Sequence, residues 1–322
     1  MRIFSSRSNK FALLFGLFTL LTTTAFAQVS LRKALDNDGD SKADFVIFRP
    51  SNNTWFIKRA TGVFSSQVFG VSNEDFPVPG DYDGDGKGDI AVWRDTTGVW
   101  YTLRSSDNTF TMRNWGVTGD DPVARDYDGD GKTDMAVVRR TNGNMVWYIF
   151  RSSDNAYTSN QWGVTTDFVA PGDYDGDGKF DIAVQRPGAS GTAAATFFIL
   201  QSSNSGFYSI EFGQSNDLIV PGDYDGDGKT DLAVVREGAT PTSDLTWIIR
   251  YSMTGTIYTR TFGVSGTDLN AQNDYDGDGK ADIAIWRNTN GSFYYVPSAT
   301  GGMNTVQWGQ LGDYPVASYD TH

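Results

Sequence analysis

The residues best suited to chemistry lie in a nine-residue stretch, Asp81–Asp89, which reads DYDGDGKGD. Aspartate occupies its first, third, fifth and ninth positions, and Gly84 and Gly86 permit the left-handed backbone of a tight loop. Carboxylates held about 5 Å apart in such a loop repel one another by roughly 1–3 kcal/mol per pair. A compact loop of this composition therefore needs a cation. Hard oxygen donors without sulfur or imidazole favour Ca²⁺, and the spacing matches the first half of an EF-hand loop.

The same loop occurs six times, with aspartate at all 24 predicted ligand positions. A single copy is explained equally well as a solvated acidic turn, but six complete copies favour up to six Ca²⁺ sites. A backbone carbonyl is expected as a further ligand at the seventh position, here Lys87. The first loop has Ser41 where the others have glycine, and we expect it to be the weakest site because serine tolerates positive φ poorly. The predicted ligands are Asp36, Asp38, Asp40 and Asp44; Asp81, Asp83, Asp85 and Asp89; Asp126, Asp128, Asp130 and Asp134; Asp173, Asp175, Asp177 and Asp181; Asp223, Asp225, Asp227 and Asp231; and Asp274, Asp276, Asp278 and Asp282.

The segments that position these loops are predicted to be β-strands. Each loop is followed by a run such as Ile90-Ala-Val-Trp, which is apolar at consecutive positions and has no helical period, so a helix–loop–helix unit is excluded. Both faces of this second strand are expected to be buried. The segment before the loop carries Pro77 and Pro79, which place it at a sheet edge. Two further strands, Val99–Arg104 and Phe110–Gly116, complete the unit.

The spacing of the loops predicts the architecture. Successive loops begin 45, 45, 47, 50 and 51 residues apart, which indicates a propeller or a solenoid rather than a β-helix with a repeat of about nine residues. We predict an all-β fold, a β-propeller of four-stranded blades with the Asp-rich loops between first and second strands; six blades are favoured and seven are the alternative. The tail Asp313–Asp320 repeats the pattern of Asp75–Asp83 and is expected to close the ring on the first blade, whose own opening segment, Val29–Leu35, is degenerate.

Composition limits the cellular role. Residues 1–27 resemble a secretory signal peptide, with Arg2, Arg7 and Lys10 before an apolar core that is too short for a membrane anchor. The domain organisation predicted is thus a signal peptide at 1–27 and one propeller at 28–322, exported to the periplasm, the cell surface or the medium, with no transmembrane segment after cleavage. The 322-residue chain has no cysteine and a net charge of −13. Cleavage of the signal peptide would change the net charge to −16, and the binding of six Ca²⁺ would then change it to −4. No basic cluster is present for nucleic acid, and a monomer is expected.

The differences in repeat length arise mainly in the loops between second and third strands. These loops are two residues longer in the third unit and five longer in the fourth and fifth, as in Gly188–Ala195. In an up-and-down blade they open on the face opposite the Asp-rich loops. Insertions gathered on one face are typical of a binding face, although drift in exposed loops explains them equally well.

The repeated Asp-x-Asp-Gly-Asp-Gly-Lys-x-Asp loop, the following Ile-Ala-Val and a closing Phe-Gly or Trp-Gly together resemble the FG-GAP/VCBS repeats of bacterial exported proteins and of integrin α chains. The resemblance covers essentially the whole mature chain. It implies that the loop aspartates bind calcium and that a partner binds the opposite face. The chain departs from the family at the Gly-Ala-Pro element, where it reads Val-Pro-Gly-Asp-Tyr-Asp or a variant. The closing elements are Phe69-Gly70, Trp115-Gly116, Trp162-Gly163, Phe212-Gly213, Phe262-Gly263 and Trp308-Gly309.

Three functions remain open for such a chain: a non-catalytic binding or adhesion scaffold for a protein or glycan, a carbohydrate-binding lectin, and a polysaccharide lyase or glycosidase. The only histidine is the terminal His322, and no cysteine nucleophile exists. An enzyme would have to use acids outside the repeat pattern, and a lectin could use the aromatics that recur in the third strands, although packing between blades explains these better. Arginines that recur at the end of second strands are expected to pair with the aspartates that precede first strands. The acids assigned to no repeat position are Glu74, Asp95, Asp107, Asp120, Asp154, Glu211, Glu237, Asp244 and Asp320; the aromatics are Trp55, Trp100, Trp147, Phe197, Trp247 and Phe293.

Overall fold

The computed structural model describes residues 34–317. It contains six antiparallel sheets of four strands each. The predicted six-bladed β-propeller with four-stranded blades is therefore confirmed. The signal peptide, most of Val29–Leu35, Asp320 and His322 lie outside the described residues.

In every blade an inner edge strand of two or three residues is followed outward by three longer strands. Blade 1 contains β24 (Tyr314–Pro315), β1 (Phe45–Arg49), β2 (Thr54–Lys58) and β3 (Phe64–Val68); blade 2 contains β4 (Asp75–Pro77), β5 (Ile90–Arg94), β6 (Val99–Leu103) and β7 (Phe110–Asn114). Blade 3 contains β8 (Asp121–Pro122), β9 (Met135–Thr141), β10 (Asn144–Phe150) and β11 (Tyr157–Val164); blade 4 contains β12 (Phe168–Val169), β13 (Ile182–Arg186), β14 (Ala194–Leu200) and β15 (Phe207–Gln214). Blade 5 contains β16 (Leu218–Ile219), β17 (Leu232–Arg236), β18 (Asp244–Arg250) and β19 (Ile257–Val264); blade 6 contains β20 (Asp268–Asn270), β21 (Ile283–Arg287), β22 (Ser292–Val296) and β23 (Asn304–Gln307).

The chain tail supplies the inner strand of the first blade. Tyr314 and Pro315 of β24 lie opposite Phe48 and Ile47 of β1, and the Val316 N–H donates to the Val46 carbonyl at 2.9 Å. The last strand therefore completes the sheet that the first strand begins. The two ends of the ring meet in one blade.

The core lies within and between the blades, as the continuous apolar run of the second strands predicts. Ala91, Val92 and Trp93 of β5 are at most 2% exposed, because a blade faces a neighbour on each side. The recurring third-strand aromatics are at most 1% exposed, so they pack in the core and offer no platform to a sugar. Their four indoles each donate to the carbonyl of the aromatic in the Phe-Gly or Trp-Gly element, for example Trp100 to Trp115 at 2.7 Å.

A bidentate Arg–Asp pair ties the inner strand to the second strand in each blade. In blade 2, Arg94 donates from Nε and Nη2 to both carboxylate oxygens of Asp75 at 2.7 and 2.9 Å. The predicted structural partner of the recurring arginines is therefore present. The pairs are Arg49–Asp313, Arg94–Asp75, Arg139–Asp120, Arg186–Asp167, Arg236–Asp217 and Arg287–Asp268.

One assignment in this pattern is wrong. The third unit has two successive aspartates, and the one that pairs with Arg139 is Asp120, which the sequence pattern leaves outside the repeat in favour of Asp121. Asp121 lies opposite Val138, in the register where Phe76 lies opposite Trp93 in blade 2. Its carboxylate pairs instead with the neighbouring Arg140 at 2.8 Å.

Candidate metal centre

The Asp-rich loops fold around the carboxylate of their first residue. In the second loop, Asp81 accepts from the Gly84 N–H at 2.7 Å through Oδ1 and from the Gly86 N–H at 3.0 Å through Oδ2. Both glycines have positive φ, 82° and 85°. The same two hydrogen bonds recur in the other five loops. The sequence thus forms a closed turn whose carboxylate anchors the backbone and keeps further lone pairs for a ligand.

The ninth aspartate joins the loop to the rest of its blade. Asp89 accepts from the Tyr82 N–H at 2.9 Å and from the Ser105 N–H at 2.7 Å. Ser105 follows the third strand, and its hydroxyl donates to Asp85 at 3.0 Å. The Ser106 hydroxyl donates to Asp83 at 2.6 Å. Side chains from the turn between third and fourth strands therefore hold the third and fifth aspartates in place.

These serines are the contributors to the site that sequence reasoning did not single out. A serine recurs two residues after the third strand in five of the six units, and this recurrence is a pattern from which the contribution could be predicted. In the first unit Ala60 stands at this position, so it offers no hydroxyl to the fifth-position aspartate, Asp40. Ser41 in the same loop adopts a φ of 70°. The first loop is therefore the least complete of the six. The five serines are Ser105, Ser152, Ser202, Ser252 and Ser298.

The loops bring their carboxylates together. One oxygen from each of three aspartates lies within 4.8 Å of the others in each of five loops. The third member is the fifth-position residue in the first two loops and the ninth-position residue in the next three. The groups are Asp36, Asp38 and Asp40; Asp81, Asp83 and Asp85; Asp126, Asp128 and Asp134; Asp173, Asp175 and Asp181; and Asp223, Asp225 and Asp231.

Burial raises the carboxylate pKa values in these loops. Desolvation raises the pKa of Asp134 and Asp231 to about 7 and that of Asp89 to about 6, against backbone hydrogen bonds that lower the pKa. The neighbouring aspartates Asp128 and Asp225 add a repulsive contribution to the first two. The negative charges of these carboxylates are costly to bury and converge on one point in each cluster. A cation is most stabilising in such an environment.

The six loops are joined in a continuous ring. The N–H of the eighth residue in each loop donates to the carbonyl of the first aspartate in the preceding loop, as Thr133 does to Asp81 at 2.7 Å. Ala43 of the first loop donates to Asp274 of the sixth at 2.7 Å, which closes the circle independently of β24. The other four pairs are Gly88–Asp36, Phe180–Asp126, Thr230–Asp173 and Ala281–Asp223.

The seventh residue, always lysine, extends over the preceding loop. Lys132 packs so closely on Gly84 that a Cβ built there would lie 2.6 Å from the lysine Cε. The corresponding glycine lies under a lysine in all six loops. The lysine side chains therefore cover the neighbouring turns, and the carboxylate clusters themselves could bind a metal.

The donor set of each loop consists of carboxylate and backbone oxygens only, and such a set fits Ca²⁺.

A family profile described as the FG-GAP-like repeat matches residues 36–92 and 126–184. These stretches contain the first, second, third and fourth Asp-rich loops, the whole of β1 and β9, and the first three residues of β5 and β13. The chain is a six-bladed β-propeller that contains FG-GAP-like repeats.

This FG-GAP propeller resembles solved structures in its fold. A lectin of Agrocybe aegerita, described as recognising non-reducing terminal N-acetylglucosamine, is 17% identical with a TM-score of 0.52, over 82% of this chain and 89% of the lectin. A mutant of AofleA from Arthrobotrys oligospora is 10% identical with a TM-score of 0.49, over 90% and 91% of the two chains. No curated protein sequence matches the chain. Within residues 34–317, no helix is long and apolar enough to cross a membrane.

Proposed function

We propose that this FG-GAP propeller is an exported, calcium-stabilised scaffold that binds a protein or glycan partner and catalyses no reaction. The observation that carries the proposal is the ring of six loops, each hydrogen-bonded to the next, with carboxylates clustered in the five loops named above. Such a ring is built to be held rigid by metal. All 24 loop aspartates are proposed as ligands, with the seventh-position carbonyl and the serine turn completing or supporting each site.

Calcium would act on stability rather than on chemistry. At millimolar Ca²⁺ and a Kd on the order of 10⁻⁴ M, each site adds about 1.4 kcal/mol to the free energy of unfolding. Isothermal calorimetry should detect up to six ions per chain, and the melting temperature should fall when a chelator replaces Ca²⁺. An unchanged melting temperature in excess chelator would count against the proposed role of the loops.

The fold similarity to the Agrocybe aegerita lectin favours a glycan as the partner over a protein. At 17% identity this similarity extends to the architecture alone, so the glycan remains a proposal. The buried third-strand aromatics cannot serve as its platform. A glycan array and a pull-down from the native surroundings, each with and without Ca²⁺, discriminate between a lectin and an adhesin that binds protein.

A lyase or glycosidase would have to use acids outside the repeat pattern. Three of them, Glu74, Asp95 and Glu237, line a common cavity on the face opposite the Asp-rich loops. Incubation with acidic and neutral polysaccharides, followed by detection of unsaturated products or reducing ends, tests this alternative. Cleavage that the Glu74→Gln and Glu237→Gln variants abolish would replace the scaffold proposal by an enzyme.

Export is proposed from residues 1–27 alone. Amino-terminal sequencing of the native protein should find Gln28 as the first residue, in the periplasmic, surface or culture fraction. An intact Met1 in the cytoplasmic fraction would contradict it.

A further inference from the structure

A cavity of about 800 Å³ opens at the centre of the ring on the face opposite the Asp-rich loops. Its wall comes from the inner strands of blades 1, 2, 5 and 6, from the loops that connect their second and third strands, and from the segments that lead into the inner strands of blades 2 and 6. The volume lies within the range of small-molecule sites, about 300–1,000 Å³. This face is also the one to which the longer loops of the chain belong.

The wall of the cavity is apolar where the inner strands pass. In blades 5, 6 and 1 the residue that follows the arginine-paired aspartate lines the cavity, and these side chains remain substantially exposed: Leu218 39%, Leu269 42% and Tyr314 56%. Phe76 and Pro77 of β4 continue the surface. Large apolar side chains that converge on one concave surface favour an apolar ligand body.

The charged groups around the cavity are all carboxylates. Two of them, Asp75 and Asp268, are neutralised by Arg94 and Arg287. The other three, Glu74, Asp95 and Glu237, carry the charge of the rim, and among residues 34–317 only Glu74 has an arginine nearby, at 3.8 Å and exposed to solvent. Among the residues that line the cavity within the described range, none is lysine, arginine or histidine.

We propose that this cavity binds a small organic cation, an ammonium or guanidinium group attached to an apolar body. The apolar wall would take the body, and the three carboxylates would face the charge. Low-dielectric walls focus the field of a like-charged rim, so cations are attracted and anions repelled. The inference rests on the proposed function as a binding scaffold and names a ligand class for it; the site is separate from the calcium loops.

The test uses three probes with one body: 2-naphthylmethylammonium, the neutral 2-naphthalenemethanol and the anion 2-naphthoate. Titration calorimetry on the full chain in millimolar Ca²⁺ should give affinities in that order, with cation and anion differing by about tenfold or more. Raising the salt concentration should weaken the binding of the cationic probe only. Equal binding of all three probes, or no binding of the cation at millimolar concentration, would overturn the proposal.

Variants separate the charge from the wall. The double variant Glu74→Gln, Glu237→Gln should weaken binding of the cationic probe about five- to tenfold and leave binding of the neutral probe unchanged, because it removes two of the three unneutralised carboxylates while solvent screens each of them. Glu211→Gln, on the outermost strand β15, removes the same charge away from the cavity and should change neither. Leu218→Ser should weaken the binding of all three probes. If the double variant binds the organic cation as tightly as the parent does, the site is not the one proposed. If the parent chain binds Ca²⁺ but not the organic cation, the calcium proposal stands and the cavity proposal fails.

Discussion

At the scale of single residues, the deviations from the repeat are more informative than the repeat itself. Gln185 stands in β13 at a position where the other blades have Phe48, Trp93, Val138, Val235 or Trp286. It is completely buried, and both of its side-chain polar atoms lack a hydrogen-bond partner. A buried amide without partners costs free energy, so this residue weakens blade 4.

We predict that Gln185→Leu raises the free energy of unfolding by about 1–3 kcal/mol, because it removes an unpartnered amide at nearly constant volume. Urea denaturation in excess Ca²⁺ measures the change. Thr196→Ser, at an adjacent position of the neighbouring strand β14, serves as a control for general repacking. A destabilised Gln185→Leu protein would show that the amide has a partner, such as an internal water molecule.

The Arg–Asp pairs also act at the residue scale. We predict that Arg94→Met destabilises the protein by about 2–4 kcal/mol, because it leaves the buried Asp75 carboxylate without its bidentate partner. Arg151→Met breaks an exposed pair with Asp154 and should leave the stability nearly unchanged, because solvent screens this pair. Equal melting temperatures for the two variants would contradict the structural role assigned to the inner pair.

At the scale of elements, the loop and the strand that follows it form one unit. The loop needs glycine at two positions for different reasons. Gly84 and Gly86 have nearly the same positive φ, but a Cβ on Gly84 would meet Lys132 of the next loop, whereas a Cβ on Gly86 would meet nothing within 4 Å.

This difference gives a matched pair of variants. Gly86→Ala should cost about 1 kcal/mol or somewhat more from backbone strain alone. Gly84→Ala should cost more than Gly86→Ala, because the added methyl group displaces the lysine from the neighbouring loop. Combination with Lys132→Ala should recover the excess in a double-mutant cycle measured by chemical denaturation. If the two alanine variants cost the same, the lysine is flexible enough that the loops are not coupled through it.

The sequence predicted the strands and the loops of this fold because both have local causes. Apolar runs, prolines and turn residues fix the strands, and the repeat multiplies each weak local pattern by six. The Asp120 register could not be obtained this way, since two adjacent aspartates satisfy the pattern equally and only pairing with Arg139 distinguishes them. The ring of loop-to-loop hydrogen bonds and the central cavity also escaped prediction, because both join residues of different blades that are far apart in the sequence and meet only when the propeller closes.

At the scale of the whole molecule, the dominant electrostatic feature is a circle of partly buried carboxylates at one end. Their raised pKa values mean that the metal-free native state binds more protons than the unfolded chain between about pH 4 and pH 7. Its stability therefore decreases as the pH rises through this interval. Ca²⁺ binds the deprotonated groups and should reverse the trend.

We predict that in excess chelator the melting temperature is higher at pH 5.5 than at pH 8, and that in millimolar Ca²⁺ it is higher at pH 8. Differential scanning calorimetry at both pH values, with and without Ca²⁺, measures all four temperatures at matched ionic strength. A chelated protein that is more stable at pH 8 would show that the loop carboxylates are not destabilised by their burial.

The closure in blade 1 has a mechanical consequence. The inner strand β24 is held by two residue pairs to β1, by the bond between Val316 and Val46, and by the Arg49–Asp313 pair. Tension applied to the carboxyl-terminal end would pull on these few contacts of β24 before it disrupted any complete blade. The ring would then open at one seam, while the Ala43–Asp274 hydrogen bond still joined the first and sixth loops across it.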